Sequence, residues 1–279
     1  MQSRMFLIAA LLGPAACSSP EEMEQAVALE GGGQSASANS ASASASVGGN
    51  SSSASASSSA GAAAHSEATD LYEFEYSWPA AVAIPGLRQE LQSRMNSTKS
   101  SLIADAREGR EAAQDSDFPY RPHSASWEWQ VAADTPRFLS LTAEVASFGG
   151  GAHGNYGKDV LLWDRQRDTA LASLDLFASP AALNRAIAPR FCAELDRQRA
   201  QRRGMAVNKA TPFGQCPPVE DLEVILGSAD GEAFDRIGLY AAPYVAGAYA
   251  EGDYEITLPL NAAIMAAVKP QYRGAFSAR

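Results

Sequence analysis

The stretch SASWEWQVAADTPRFLSLTAEVASF, residues 124–148, decides the fold class. In its first half Trp127, Trp129 and Val131 alternate with polar residues, and in its second Leu139, Leu141, Ala143 and Val145 alternate in the same way. Successive side chains leave a strand on opposite faces, so period-two alternation marks a half-buried strand. Asp134, Thr135 and Pro136 between the halves are turn formers, and the whole stretch predicts an antiparallel hairpin.

Upstream, LYEFEYSW (71–78) sets Tyr72, Phe74, Tyr76 and Trp78 against Glu73, Glu75 and Ser77, another strand, which Pro79 ends. Pro85 suits the first position of a helix, and Leu87, Leu91, Met95, Leu102, Ile103 and Ala106 recur at spacings that one helix face collects. That helix is expected to lie on the sheet. Downstream, KDVLLWDRQRDTALASLDLF (158–177) predicts a strand, a polar turn and a short strand. Ser179 then reads as a cap before Pro180, with Leu183, Ile187, Phe191 and Leu195 as the buried stripe of a helix bent at Pro189. VEDLEVILG (219–227), DRIGLYAA (235–242) and DYEITLPL (253–260) return to strands, and Asn261 caps a last short helix to Val268. Strands and helices thus come in blocks. The order predicts an α+β fold, a mostly antiparallel sheet with amphipathic helices on one face, in two closely joined subdomains, 70–177 and 178–279.

The other end of the chain is of a different kind. Residues 1–17 place Arg4 before an apolar run from Met5 to Leu12 and small residues ending in Cys17, the layout of a secretory signal and too short for a spanning helix. Ala15-Ala16-Cys17 resembles the lipobox of bacterial lipoproteins, which implies acylation of Cys17; Pro14 departs from the usual residue three before the cysteine. Ser18 after the cysteine implies the outer membrane, facing the periplasm. From Gly32 to Ala64 no residue is charged. Such a Ser/Ala/Gly tract has too little apolar surface to offset the entropy of ordering it, so 18–69 is expected to be a disordered linker. A tether of roughly 50 residues has an r.m.s. reach of about 40 Å. The domain is expected to be leashed to the membrane through this lipid alone.

Two cysteines remain, Cys192 and Cys216, and in an exported chain a disulfide between them is the expectation. Closing that loop of about 25 residues stabilises by roughly 3 kcal/mol. The net charge of −10 argues against nucleic acid and favours cationic partners. Catalytic patterns are scarce. The histidines are His65, His123 and His153, scattered in sequence, and no serine elbow, zinc motif or phosphate loop accompanies them. No catalytic residue, metal or cofactor is therefore assigned. Asp70, Glu73, Glu75 and Glu144 are read as carboxylates on the solvated faces or ends of strands.

Beyond the hairpin lies SFGGGAHGNYGKD (147–159), with five glycines and His153. Gly149, Gly150 and Gly151 are expected to supply positive φ or close backbone approach, and His153 to be a turn histidine bonded to nearby backbone. With Asn155 and Tyr156 these residues form a candidate binding loop. Tyr240, Tyr244, Tyr249 and Tyr254, near strand ends and turns, form a candidate binding rim. Trp127 and Trp129 are read as core ahead of a glycan-stacking platform.

GGAHG at 150–154, the SLDLF segment at 173–177 and LYAAPYVAGAYAEGDYEITLPL at 239–260, in this order, resemble a family of exported bacterial domains. This RsiV-like/PdaC-accessory family includes the extracellular lysozyme-sensing domain of the sigma-V anti-sigma factor and the accessory domain of some peptidoglycan deacetylases. Here the match runs from Tyr72 to Val268, but the sigma-binding segment and the deacetylase catalytic domain have no counterpart. The resemblance implies an envelope module with a lysozyme-like protein or peptidoglycan as partner, and it supplies no catalytic residues. Three readings follow. The first is an envelope-anchored, non-catalytic binding lipoprotein; the second is a structural protein that binds another member of an envelope complex; the third is a peptidoglycan-directed hydrolase using scattered carboxylates and His153.

Overall fold

Six strands form the larger sheet in the order β1 to β6: β1 (Ala63–Ala68), β2 (Tyr72–Trp78), β3 (His123–Asp134), β4 (Phe138–Phe148), β5 (Asn155–Asp164) and β6 (Thr169–Leu171). The structure, a computed structural model of the chain, describes residues 62–278. The signal segment, Cys17 and most of the expected linker lie outside the described residues. All neighbouring pairs are antiparallel except β2 with β3. A parallel pair needs a crossover, and helix α1 (Pro85–Asp115) supplies it. Pro85 opens that helix, and Leu87, Leu91, Met95, Leu102 and Ala106 are its buried stripe. They pack with Tyr72, Phe74, Tyr76, Trp78, Trp129, Leu141 and Trp163 in one core. Trp129 donates its indole N–H to the Tyr76 hydroxyl at 2.8 Å, and burial pushes the Tyr76 phenol up to about 12.

Two details depart from the sequence reading. The expected linker extends to residue 69, but Ala63–Ala68 pair along β2 as strand β1, from Ala63 opposite Trp78 to Ala68 opposite Glu73. Backbone pairing to a strong neighbour orders a segment that composition alone leaves without a core to join. Glu67 adds to it by accepting hydrogen bonds from the Tyr72 hydroxyl and the Lys99 ammonium. The second departure is at Val131. A register shift between Val131 and Ala133 breaks the alternation: Val131 stays opposite Leu141 and is 39% exposed, while Ala133 moves to the outer face, opposite Ser140, and is buried in the core of the small sheet.

The smaller sheet is antiparallel, β7 (Glu223–Gly227), β8 (Arg236–Ala241) and β9 (Tyr254–Pro259). Helix α2 (Pro180–Arg203) lays Leu183, Ile187, Phe191 and Leu195 into its core and runs on through Pro189. Its cap is Ser179, which accepts from the Ala182 N–H at 3.1 Å; Asn261 caps α3 (Ala262–Ala267) by accepting from Ile264 at 2.9 Å. Cys192 on α2 is disulfide-bonded to Cys216, with Cα atoms 5.6 Å apart. This fastens the polar excursion after the helix back onto it.

Phe138 and Leu162, on the outer face of the large sheet, belong to the core of the small one. A buried ion pair stands beside them. Asp164 is fully buried and takes 2.9 Å contact from Arg137, whose other terminal nitrogen donates to the Gln271 carbonyl at 3.1 Å. Burial works to raise the Asp164 carboxyl, but the Arg137 hydrogen bond and the Gln166 N–H prevail and hold it below its usual range. The contact of β7 with β3, β4 and β5 covers one end of the outer face. The other end stays open and carries the candidate site.

Candidate functional site

The strand registers arrange the open end of the outer face in rows. One row, read from β1 to β5, is Ala64, Ser77, Glu128, Glu144 and Lys158; the next is Ser66, Glu75, Ser126, Ala146 and Tyr156; a third is Ala68, Glu73, Ser124 and Phe148. Small side chains floor this face and carboxylates stand up from it, around a depression of 510 Å³. Glu128 and Glu144 are directly opposite one another, an arrangement that is destabilising in a sheet. Glu144 is answered by Lys158 on the next strand, which also lies 3.7 Å from Glu255 on β9. Burial works to lower the Lys158 ammonium, yet the hydrogen bond to Glu144 and the charges of Glu144, Glu255 and Asp253 keep it above its usual value. Glu73, Glu75 and Glu128 have no ion-pair partner among the described residues.

Tyr156 belongs both to this face and to an aromatic cluster at its end. The six residues 149–154 join β4 to β5 and bring His153 onto Tyr249, the rings stacked with centroids 3.9 Å apart. The Tyr249 hydroxyl donates to the Gly154 carbonyl at 2.7 Å, and His153 Nδ1 lies 2.9 Å from the same oxygen. Tyr156 meets Tyr249 edge-on at 6.0 Å, and Tyr244 lies tilted against it at 5.7 Å. Tyr244 is 54% exposed and Tyr156 42%, two of the most exposed large hydrophobic side chains among the described residues. Tyr244 also sits at φ 71°, a left-handed conformation that costs a residue with a Cβ roughly 1–2 kcal/mol. Behind the cluster, Arg202 donates to the carbonyls of Glu251 and Asp253 and lies 4.0 Å over the Tyr254 ring. Arg203 holds Glu251 at 2.8 Å, so the turn that presents Tyr249 is pinned from α2.

The two candidate sets drawn from sequence therefore meet, but not all their members do. His153 and Tyr156 of the loop join Tyr244 and Tyr249 of the rim. Tyr240 and Tyr254 are buried in place, 1% and 0% exposed, and offer no surface. Among the three glycines, only Gly150 takes positive φ, 79°; Gly149 and Gly151 border open space. Asn155 opens β5 on the opposite side of the sheet from Tyr156. Glu128 escaped the sequence reading. The alternation of β3 puts it outside, and only the β3–β4 register reveals the carboxylate it faces.

Comparison with known proteins reaches the same part of the chain. Residues 65–156, from β1 to Tyr156, match the family model described as deacetylase PdaC. A DUF3298 family protein of Pseudomonas aeruginosa PAO1 is similar in structure, at 19% identity and TM-score 0.48 over 78% of this chain and 95% of that one. A DUF3298 family member of Bacteroides fragilis NCTC 9343 is similar at 16% identity and TM-score 0.46, over 77% and 95%. No curated protein matches the chain significantly. Among the described residues, no helix is long and apolar enough to cross a membrane.

Proposed function

We propose that this chain is a non-catalytic recognition domain, anchored at the bacterial envelope through Cys17, that binds a cationic protein of the lysozyme type. The observation that carries the reading is the acidic face: Glu128 opposite Glu144, with Glu73 and Glu75 on the neighbouring strand β2 and no counter-ion among the described residues for three of the four. A sheet face that holds like charges together against their repulsion is suited to a partner that brings the missing positive charge. The net charge of −10 steers the same class of partner at longer range. Tyr156 and Tyr244 at the end of the face add the exposed rings on which interface energy concentrates. The disulfide supports an exported protein, and the long N-terminal tract would let the domain meet its partner away from the membrane.

Calorimetric titration of the chain with a c-type lysozyme, and in parallel with soluble muropeptides, tests the reading. Binding to lysozyme that weakens with salt supports it. Muropeptide binding alone moves the partner from protein to cell-wall glycan, and heat from neither ligand overturns the reading.

A further inference from the structure

A second groove, of 590 Å³, lies on the opposite face of the large sheet, between α1 and strands β3 to β5. Its walls are Thr98, Ser101 and Asp105 from α1 and Asn155 from β5, and Trp127 lines it from β3. Trp127 is half-buried and stacked on Tyr76, with centroids 6.4 Å apart. None of these four polar side chains bonds to another described residue. At one end the groove meets His123, 6% exposed, whose ring nitrogens also lack a partner among the described residues. His123 fits there because Gly109 and Gly150 flank it. A Cβ on Gly109 would stand 2.7 Å from its Nε2, and one on Gly150 3.4 Å. His123 thus closes the end of the groove, with its Nε2 packed against these two glycines.

The lining specifies the ligand class. No lysine or arginine borders this groove, so it does not suit a phosphate or carboxylate. Hydroxyl and amide groups line the groove together with an aromatic ring and one carboxylate, Asp105. Its volume is within the range of small-molecule sites. A ligand with a flat apolar face and a rim of hydroxyl groups satisfies both kinds of wall. We infer that this groove binds a short neutral oligosaccharide, one ring lying on Trp127 and its polar groups bonded to Ser101, Asp105 and Asn155. The groove shares Trp127 with the depression of the acidic face and reaches Ser124 and Phe148 of its third row, but none of the four carboxylates of that face lines it.

Titrating the full chain with N-acetylchitotriose and with cellotriose, read by calorimetry and tryptophan fluorescence, tests this. Saturable binding of at least one sugar is expected, weakened about tenfold or more in Trp127→Ala. Because Trp127→Ala could disturb packing on Tyr76, Ser101→Trp on the exposed side of α1 serves as a second variant; it fills the groove and abolishes binding. Met205→Ser, exposed and outside the lining of both the groove and the acidic face, leaves it unchanged. No saturable binding of either sugar at millimolar concentration overturns the inference, as does binding that persists in Ser101→Trp.

Discussion

Glu128 and Glu144 face each other across β3 and β4 on the solvent side of the large sheet, and Lys158 neutralises only Glu144. The repulsion has a measurable consequence. Glu128→Gln keeps the side chain's shape and removes the charge, so it is expected to stabilise the domain by about 0.5 kcal/mol. A urea midpoint that rises, more at low salt than at high salt, checks it. The same substitution is expected to weaken binding of a cationic protein, so stability and affinity move in opposite directions.

Tyr244 supplies a second test, because its backbone and its ring make separable demands. At φ 71° a glycine is at ease and an alanine is not. Tyr244→Gly is therefore expected to be about 1 kcal/mol more stable than Tyr244→Ala, the reverse of the order at an ordinary position. Both variants lose the exposed ring, and both are expected to lose affinity for the partner equally. Denaturant unfolding and titration of the two variants side by side separate strain from contact.

Much of the large sheet is legible in the sequence because its alternation is unbroken: Tyr72 to Trp78 on β2 and Leu139 to Ala143 on β4 are buried as their spacing requires. The helices are legible for the same reason, with Pro85, Ser179 and Asn261 marking their starts. What escaped depends on contacts distant in sequence. β1 has no pattern of its own and exists by pairing with β2, and the move of Ala133 to the outer face comes from a bulge that periodicity does not foresee. At the candidate site, residue type pointed to His153, Tyr156, Tyr244 and Tyr249 one by one, but their meeting is a product of the loop lying on a turn 95 residues further on. Tyr240 and Tyr254 carried the same sequence signal and went to the core, since a strand-end tyrosine and a rim tyrosine look alike in sequence.

The disulfide between Cys192 and Cys216 closes a loop with a separation of 24 residues. Reduction, or Cys192→Ser with Cys216→Ser, is expected to cost about 3 kcal/mol by chain entropy. The excursion it fastens lies beyond the end of α2. Comparing unfolding midpoints with and without reductant checks the size of the effect.

Asp164 predicts the acid side of the stability profile. Its folded carboxyl titrates below the ordinary value of 3.8, so its contribution is complete above that value and is lost as the pH falls through the lowered one. Asp164→Asn breaks a buried pair and strands Arg137, at an expected cost of about 3 kcal/mol near neutral pH. The variant's stability should also fall less steeply in acid than the wild type's. Urea unfolding across pH 7 down to about pH 2 distinguishes this from a simple packing defect, which lowers the whole curve in parallel.

The central claim is that the acidic outer face recognises a cationic protein, and the most direct measurement is the affinity of a c-type lysozyme for the wild type and for a Glu75→Gln, Glu128→Gln variant. Neither carboxylate has an internal counter-ion among the described residues, so the fold does not depend on them. Binding is expected at low ionic strength, weakened about tenfold or more in the variant and by added salt in the wild type. Equal affinity in both proteins, or no binding by the folded wild type at low salt, would contradict the account.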